Sequence, residues 1–170
     1  MLIDIERLPK DGLNISKDFE FLNSDLVEEN AVFLRTTHAD VVVKKVGDEI
    51  WIKGGVTAAL SFVCSRCLTP FEFPVDSAFD LIFLPEEIEE AKDELEEDEI
   101  DKGFYYGGSI DLGEVILEQL NLTFPVKPLC TPNCEGLCAV CGQILQAGHC
   151  GCTVREPDPR PDRPKTLGKR

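Results

Sequence analysis

No stretch of this 170-residue chain is apolar over the roughly eighteen residues that a bilayer-crossing helix needs, which excludes a helical membrane span. Its first residues, MLIDIERLPKDG, bring acids early and show no apolar segment after a basic start, so no secretory leader is expected. Positive charge is scarce. Seventeen Lys and Arg face 32 Asp and Glu, a net charge of −15. That balance disfavours a broad grip on naked nucleic acid, because non-specific binding depends on cations displacing counterions from phosphates. The chain also lacks a phosphate-cradling Gly-x-x-x-x-Gly-Lys loop, a Gly-x-Gly-x-x-Gly turn, a His-Glu-x-x-His pair and any Ser/His/Asp set. No catalytic constellation is left, and the chain is expected not to be an enzyme.

What the chain does have is cysteine. Six of its eight lie between residues 130 and 152, as Cys130-x3-Cys134-x3-Cys138-x2-Cys141-x8-Cys150-x-Cys152. A segment this short buries too little apolar surface to hold one shape alone. With no leader, the thiols read as metal ligands of a reducing cytoplasm rather than as a disulfide framework. Cys138-x-x-Cys141-Gly142 has the form of a zinc knuckle, since two thiolates three positions apart reach one cation from one tight turn. The expected cofactor is Zn(2+), held by four of these six thiols. Cys138 and Cys141 are expected to be joined by Cys130 or Cys134 on one side and by Cys150 or Cys152 on the other, with His149 as a substitute. Metal binding in finger peptides is worth about 10–16 kcal/mol, ample to order some twenty residues.

Cys64-Ser65-Arg66-Cys67 admits three readings: ligands of a separate or shared metal site, plain thiols in a β-turn, or a redox pair. Arg66 favours a thiolate. Reactive pairs of this spacing, however, usually open a helix whose N–H groups stabilise the anion. Here Pro70 and a strand pattern follow.

The expected fold is α+β, mostly antiparallel sheet with one packing amphipathic helix and a small C-terminal Cys-rich zinc-binding lobe. Three segments are expected: a β-rich domain over 1–128, a Cys-rich module over 129–153, and a flexible basic tail over 154–170. Leu2, Ile3 and Ile5 suggest an opening strand, and residues 23–27 a short helix or turn. Residues 31–46 carry a β-branched run with a break near His38-Ala39, and 49–63 a long strand bulged at Gly54-Gly55. The alternation of Phe71, Phe73 and Val75 marks a half-buried strand over 70–84. Residues 86–101 hold eleven acids against one Lys, ten of the fifteen net negative charges, and with their flanks (86–103) read as an acidic loop. Ser109-Ile110-Asp111 looks like a helix start, Leu112, Val115, Ile116 and Leu120 fall at helical spacing, and Pro125 ends the helix shortly after Leu122. His38 stands isolated in the sequence, and Trp51 reads as a sheet-face residue.

Cys64-Ser65-Arg66-Cys67-Leu68 with the Pro70–Pro74 strand, the acidic insert, Ile110–Glu114 leading into Leu120–Leu129, and Cys134–Gly142 together resemble the bacterial YceD family, long filed as a domain of unknown function. The resemblance covers most of residues 50–152. It implies a non-enzymatic factor for accumulation or processing of large-subunit ribosomal RNA, hence ribosome biogenesis. It carries over Cys64, Arg66, Cys67 and the Leu112–Pro128 stretch, and it implies that the 130–152 cluster is an added metal module. The expected partner is ribosomal RNA or a basic ribosomal protein, contacted through Arg66 and the tail cations Arg155, Arg160, Arg163, Lys165, Lys169 and Arg170, or through the acidic segment. No membrane and no small-molecule substrate is implied. The alternative function is a thiol oxidoreductase using Cys64 and Cys67.

Overall fold

A computed structural model describes residues 1–86, 102–148 and 150–152. Most of the acidic run, His149 and the basic tail lie outside them. The strands are β1 (Leu2–Asp4), β2 (Leu13–Phe19), β3 (Val32–Phe33), β4 (Thr37–Val46), β5 (Glu49–Val63), β6 (Pro70–Pro85), β7 (Gly103–Tyr105) and β8 (Ser109–Asp111), followed by helix α1 (Leu112–Leu122). Among the described residues they form a six-stranded sheet in the order β2-β4-β5-β6-β7, with β3 beside β5, and a small β1-β8 pair. All pairings are antiparallel except β6 with β7. The α+β expectation holds.

Strand parity decides which face is buried. Ala39, Val41 and Val43 of β4 and Ile50, Ile52, Val56, Leu60 and Phe62 of β5 all point inward and are almost wholly excluded from water. On β6, Phe71 pairs with Phe62, Phe73 with Leu60 and Val75 with Ala58, so the predicted alternation sits on that inner face. Helix α1 closes it. Leu112, Val115 and Ile116 enter one apolar cluster and Leu120 a second, beside Phe62 and Val75. Each such side chain contributes about 1.5–3 kcal/mol on leaving water. Asp111 starts the helix: its carboxylate accepts the Gly113 N–H at 2.8 Å. Ser109 and Ile110, expected to open the helix, instead belong to β8, because they pair with Asp4 and Ile3.

Two strand readings are corrected. The interruption in 31–46 falls between Phe33 and Thr37, not at His38-Ala39, which run through the ladder opposite Thr57 and Val56. Gly54-Gly55 is not a bulge: β5 pairs with β6 in unbroken register from Ile50 to Val63. Gly54 answers a different need, since a Cβ there would run into the Asp40 carbonyl oxygen on β4. Residues 23–25 form the expected short helical turn. His38 is not isolated in space. On the outer face its Nδ1 lies 2.6 Å from Asp18 and its Nε2 3.5 Å from Asp40. Those carboxylates, chiefly through the hydrogen bond to Asp18, raise its pKa above 6.5 against partial desolvation. Trp51 lies half-buried on that same outer face, with the Lys53 ammonium 4.8 Å from its ring. Strands β7 and β8, three residues each, are too short for a period to announce them, and the Leu13/Ile15 alternation of β2 breaks at Lys17.

Candidate metal centre

Strand β5 ends at Val63 and β6 begins at Pro70, so the hairpin turn between them is Cys64–Thr69. Its geometry is repeated 74 residues later, from Cys64 to Cys138. The Leu68 N–H donates to the Cys64 carbonyl at 3.0 Å, and the Gly142 N–H to the Cys138 carbonyl at 2.9 Å. The Cys64 N–H donates to the Thr69 carbonyl at 3.0 Å, and the Cys138 N–H to the Gln143 carbonyl at 2.8 Å. The residue after the second Cys is left-handed in both, Leu68 at φ +58° and Gly142 at φ +73°. The two Cys-x-x-Cys steps are thus one turn built twice. Glycine adopts that conformation freely, whereas Leu68 holds it under strain.

Each turn presents two thiols to two more from downstream. Cys64 and Cys67 meet Cys130 and Cys134, and Cys138 and Cys141 meet Cys150 and Cys152, with all four sulfurs of each group within 4.8 Å of one another. In the first group the Cys64 and Cys134 sulfurs stand 3.7 Å apart and those of Cys67 and Cys130 3.6 Å. Four sulfurs held about 2.3 Å from one zinc ion stand about 3.8 Å apart, so this spacing fits a shared cation. It is far too long for a covalent S–S bond. Groups of four thiols match closed structural sites, in which a cation polarises nothing and only holds chain together.

The surroundings of the groups differ. Cys64, Cys67 and Cys134 are buried against Phe71, Leu129 and Ile144, whereas Cys141 is exposed. Arg66 donates from its guanidinium to the Cys134 carbonyl at 2.8 Å, and Ser65 reaches the Pro128 carbonyl with both its N–H and its hydroxyl. Arg66, expected as a partner contact, also braces the first thiol group from its exposed side. Gln146, which nothing in the sequence singled out, lies with its Oε1 3.7 Å from the Cys130 sulfur and donates to the Thr131 hydroxyl at 2.8 Å. It ties the loop of the second group to a thiol of the first.

The electrostatics suit cation binding. Burial is the largest single influence on Cys64 and pushes its thiol up, yet the N–H groups of Cys67, Cys130 and Arg66 together draw it down to about 6. The Cys141 and then Val140 N–H groups bring Cys138 down to about 6. Burial, then the neighbouring thiols of Cys67, Cys134 and Cys64, push Cys130 up to about 12. Cys150 and Cys141, then burial, do the same to Cys152. Without a cation, the first group thus favours thiolates on its turn, at Cys64 and, through Thr69, at Cys67, the second favours one at Cys138, and the downstream thiols resist charge. A divalent ion removes that resistance by displacing the remaining protons.

The sequence expectation drew four ligands from the six C-terminal thiols and left Cys64 and Cys67 open between a separate or shared metal site, plain turn thiols and a redox pair. The structure brings all eight into two groups and gives Cys130 and Cys134 to the β5–β6 turn. The signal in the sequence was arithmetical: two Cys-x-x-Cys steps, each with one further pair of thiols, make twice four. His149, Arg155, Arg160, Arg163, Lys165, Lys169 and Arg170 lie outside the described residues.

Comparison with known proteins gives the family. The family model described as large ribosomal RNA subunit accumulation protein YceD matches residues 52–165, from within β5 past the last cysteine. The chain belongs to the YceD family. An uncharacterized protein of Mycobacterium tuberculosis is 35% identical over 122 residues, covering 71% of this chain and 56% of that protein. An uncharacterized protein of Mycobacterium leprae is 32% identical over 112 residues, 65% of this chain and 50% of its own. A chloroplastic protein of Zea mays named large ribosomal RNA subunit accumulation protein YCED homolog 1 is 24% identical over 129 residues, 61% of this chain and 44% of its own. The chain spans about half the length of these curated relatives. No solved structure matches. No helix among the described residues is long and apolar enough to cross a membrane.

Proposed function

We propose that this YceD-family protein is a non-enzymatic, zinc-binding cytoplasmic factor that supports accumulation or processing of large-subunit ribosomal RNA in a bacterial cell. The repeated turn carries the metal reading: one backbone solution, built at Cys64 and again at Cys138, makes each step half of a closed four-thiol site. Cys64, Cys67, Cys130 and Cys134 hold one ion. Cys138, Cys141, Cys150 and Cys152 hold a second. The first ion staples the Cys-rich module (129–153) to the β-rich domain (1–128), and the tail (154–170) follows the module.

The oxidoreductase alternative is the weaker reading. Thiol exchange needs an accessible thiolate, and Cys64 is fully excluded from water with Cys67 3% exposed. The turn leads into a strand, not into a helix N-terminus. With a net charge of −15, the partner fits better as a basic ribosomal protein than as naked RNA, unless the tail cations carry the contact.

Two measurements test this together. Protein purified without added metal should carry two zinc ions per chain by elemental analysis. Cells depleted of the protein should lose large-subunit ribosomal RNA while keeping the small-subunit species. Normal large-subunit RNA in depleted cells would end the functional reading whatever the metal content.

A further inference from the structure

Among the described residues, strand β6 keeps one edge largely unpaired. β5 pairs it from Pro70 to Phe83, but β7 covers only Phe83–Pro85 on the other side. From Pro70 to Ile82 no described strand meets that edge. The direction of the main chain follows from its neighbour. Ala59 stands opposite Pro74 and gives its carbonyl away from β6, to the Leu34 N–H at 2.9 Å. Antiparallel partners alternate between bonding each other and bonding outward, so Pro74 faces the free edge, where its missing N–H leaves no inner gap. Glu72, Asp76, Ala78 and Asp80 share that orientation.

Those same residues place an acidic row on the outer face. Glu72, Asp76 and Asp80 are all exposed, one every four residues or about 13 Å. Asp80 is paired with Lys53 at 2.6 Å. Glu72 and Asp76 stand opposite the neutral Ser61 and Thr57 and have no ion-pair partner among the described residues. Along the edge, between β6 and α1, a groove of about 440 Å³ is lined by the apolar Phe73, Val75 and Leu122 and by the polar Asp76, Ser77 and Gln119. Leu122 at its rim is 71% exposed.

We propose that this edge takes an extended, Lys- or Arg-rich segment of a partner protein as an added strand. The added main chain bonds the outward N–H and C=O groups of β6. Alternate side chains then go to opposite faces, with cations against Glu72 and Asp76 and apolar groups in the groove beside Leu122. A second copy of this chain is disfavoured, because edge-to-edge pairing would set carboxylates against carboxylates. A polyanion is disfavoured for the same reason. This docking mode rests on the reading of a basic ribosomal partner and gives it a location.

The test uses the zinc-loaded full chain and a synthetic peptide of roughly ten residues alternating Lys and Val, with a Glu–Val peptide and a uridine oligonucleotide as comparisons. The Lys–Val peptide should bind, more weakly at higher salt, with amide shifts concentrated on β6. Ala78→Pro removes one outward N–H and leaves the charge unchanged. Glu72→Lys with Asp76→Lys reverses the row and leaves the backbone unchanged. Each should weaken the peptide by about tenfold or more with metal content and melting temperature preserved. Failure of the wild-type protein to bind the peptide, binding by both variants as tight as that of the wild type, preference for the oligonucleotide, or dimerisation through β6 would each overturn the proposal. Loss of peptide binding in Ala78→Pro alongside normal ribosomal RNA in cells carrying it would leave the edge standing and remove the ribosomal reading.

Discussion

Leu68 shows how one residue can record a local demand. Its φ of +58° costs about 1–2 kcal/mol for an L side chain, and its side chain is 64% exposed, so packing returns little. Glycine would remove that strain at an unfolded-state cost of about 0.5–1 kcal/mol. Leu68→Gly should therefore stabilise the protein by up to about 1 kcal/mol in denaturant melts, with both metals retained. A destabilised Leu68→Gly would mean that the side chain contributes a contact not evident from its exposure. Asp111 is the opposite case, where geometry and residue type agree. Asp111→Ala removes the acceptor of the Gly113 N–H and should cost about 1 kcal/mol of stability by the same measurement.

At the scale of elements, the two Cys-x-x-Cys turns are equivalent in conformation but not in setting. The first is the hairpin between the two longest strands, and its thiols are buried. The second sits in a loop segment with Cys141 open to water. Cys64→Ser and Cys138→Ser should each lower the zinc content from two ions to one, read by native mass spectrometry. Loss of both ions from Cys138→Ser alone would show that the groups fill as one unit. Acid should strip the ions, because protons compete for every thiolate. The apo thiols at Cys64 and Cys138 titrate near 6, below their ordinary value, so their thiolate form favours the folded state above the unfolded thiol range. That contribution is lost as pH falls through about 6. Zinc release followed with a chromophoric chelator should accelerate on acidification, sooner at the exposed second group than at the first.

For the whole molecule, the separation of apolar core from metal lobe sets what chelation can undo. Two apolar clusters between sheet and α1 hold residues from Ile3 to Leu120 without any thiol. The third consists of Cys64, Cys67 and Cys134 with a few partners around them. Removing metal should thus release residues 129–152, seen as rapid amide exchange there, while β4 and β5 amides stay protected. Leu60→Ala should act the other way. It removes a wholly buried side chain from the sheet and costs about 2–5 kcal/mol with the metal present.

The α+β class, the helix from Leu112 and the half-buried β6 were legible because periodicity is local: a buried face forces apolar residues to recur every two or three to four positions. The knuckle form of Cys138–Gly142 was legible for the same reason, since a single turn contains both its thiols. What one thiol meets across seventy residues is not local. Cys130 and Cys134 pair with Cys64 and Cys67 because the sheet ends β5 beside Pro128, and Ser65 and Arg66 hold the returning chain there. The small strands β2, β7 and β8 and the need for Gly54 under Asp40 were likewise decided by neighbours distant in sequence. The chain's own order of residues determined the chemistry available, eight thiols and a surplus of acid. Only folding decided which thiols share a centre and which strand edge stays open, because both depend on contacts that exist only once the sheet has formed.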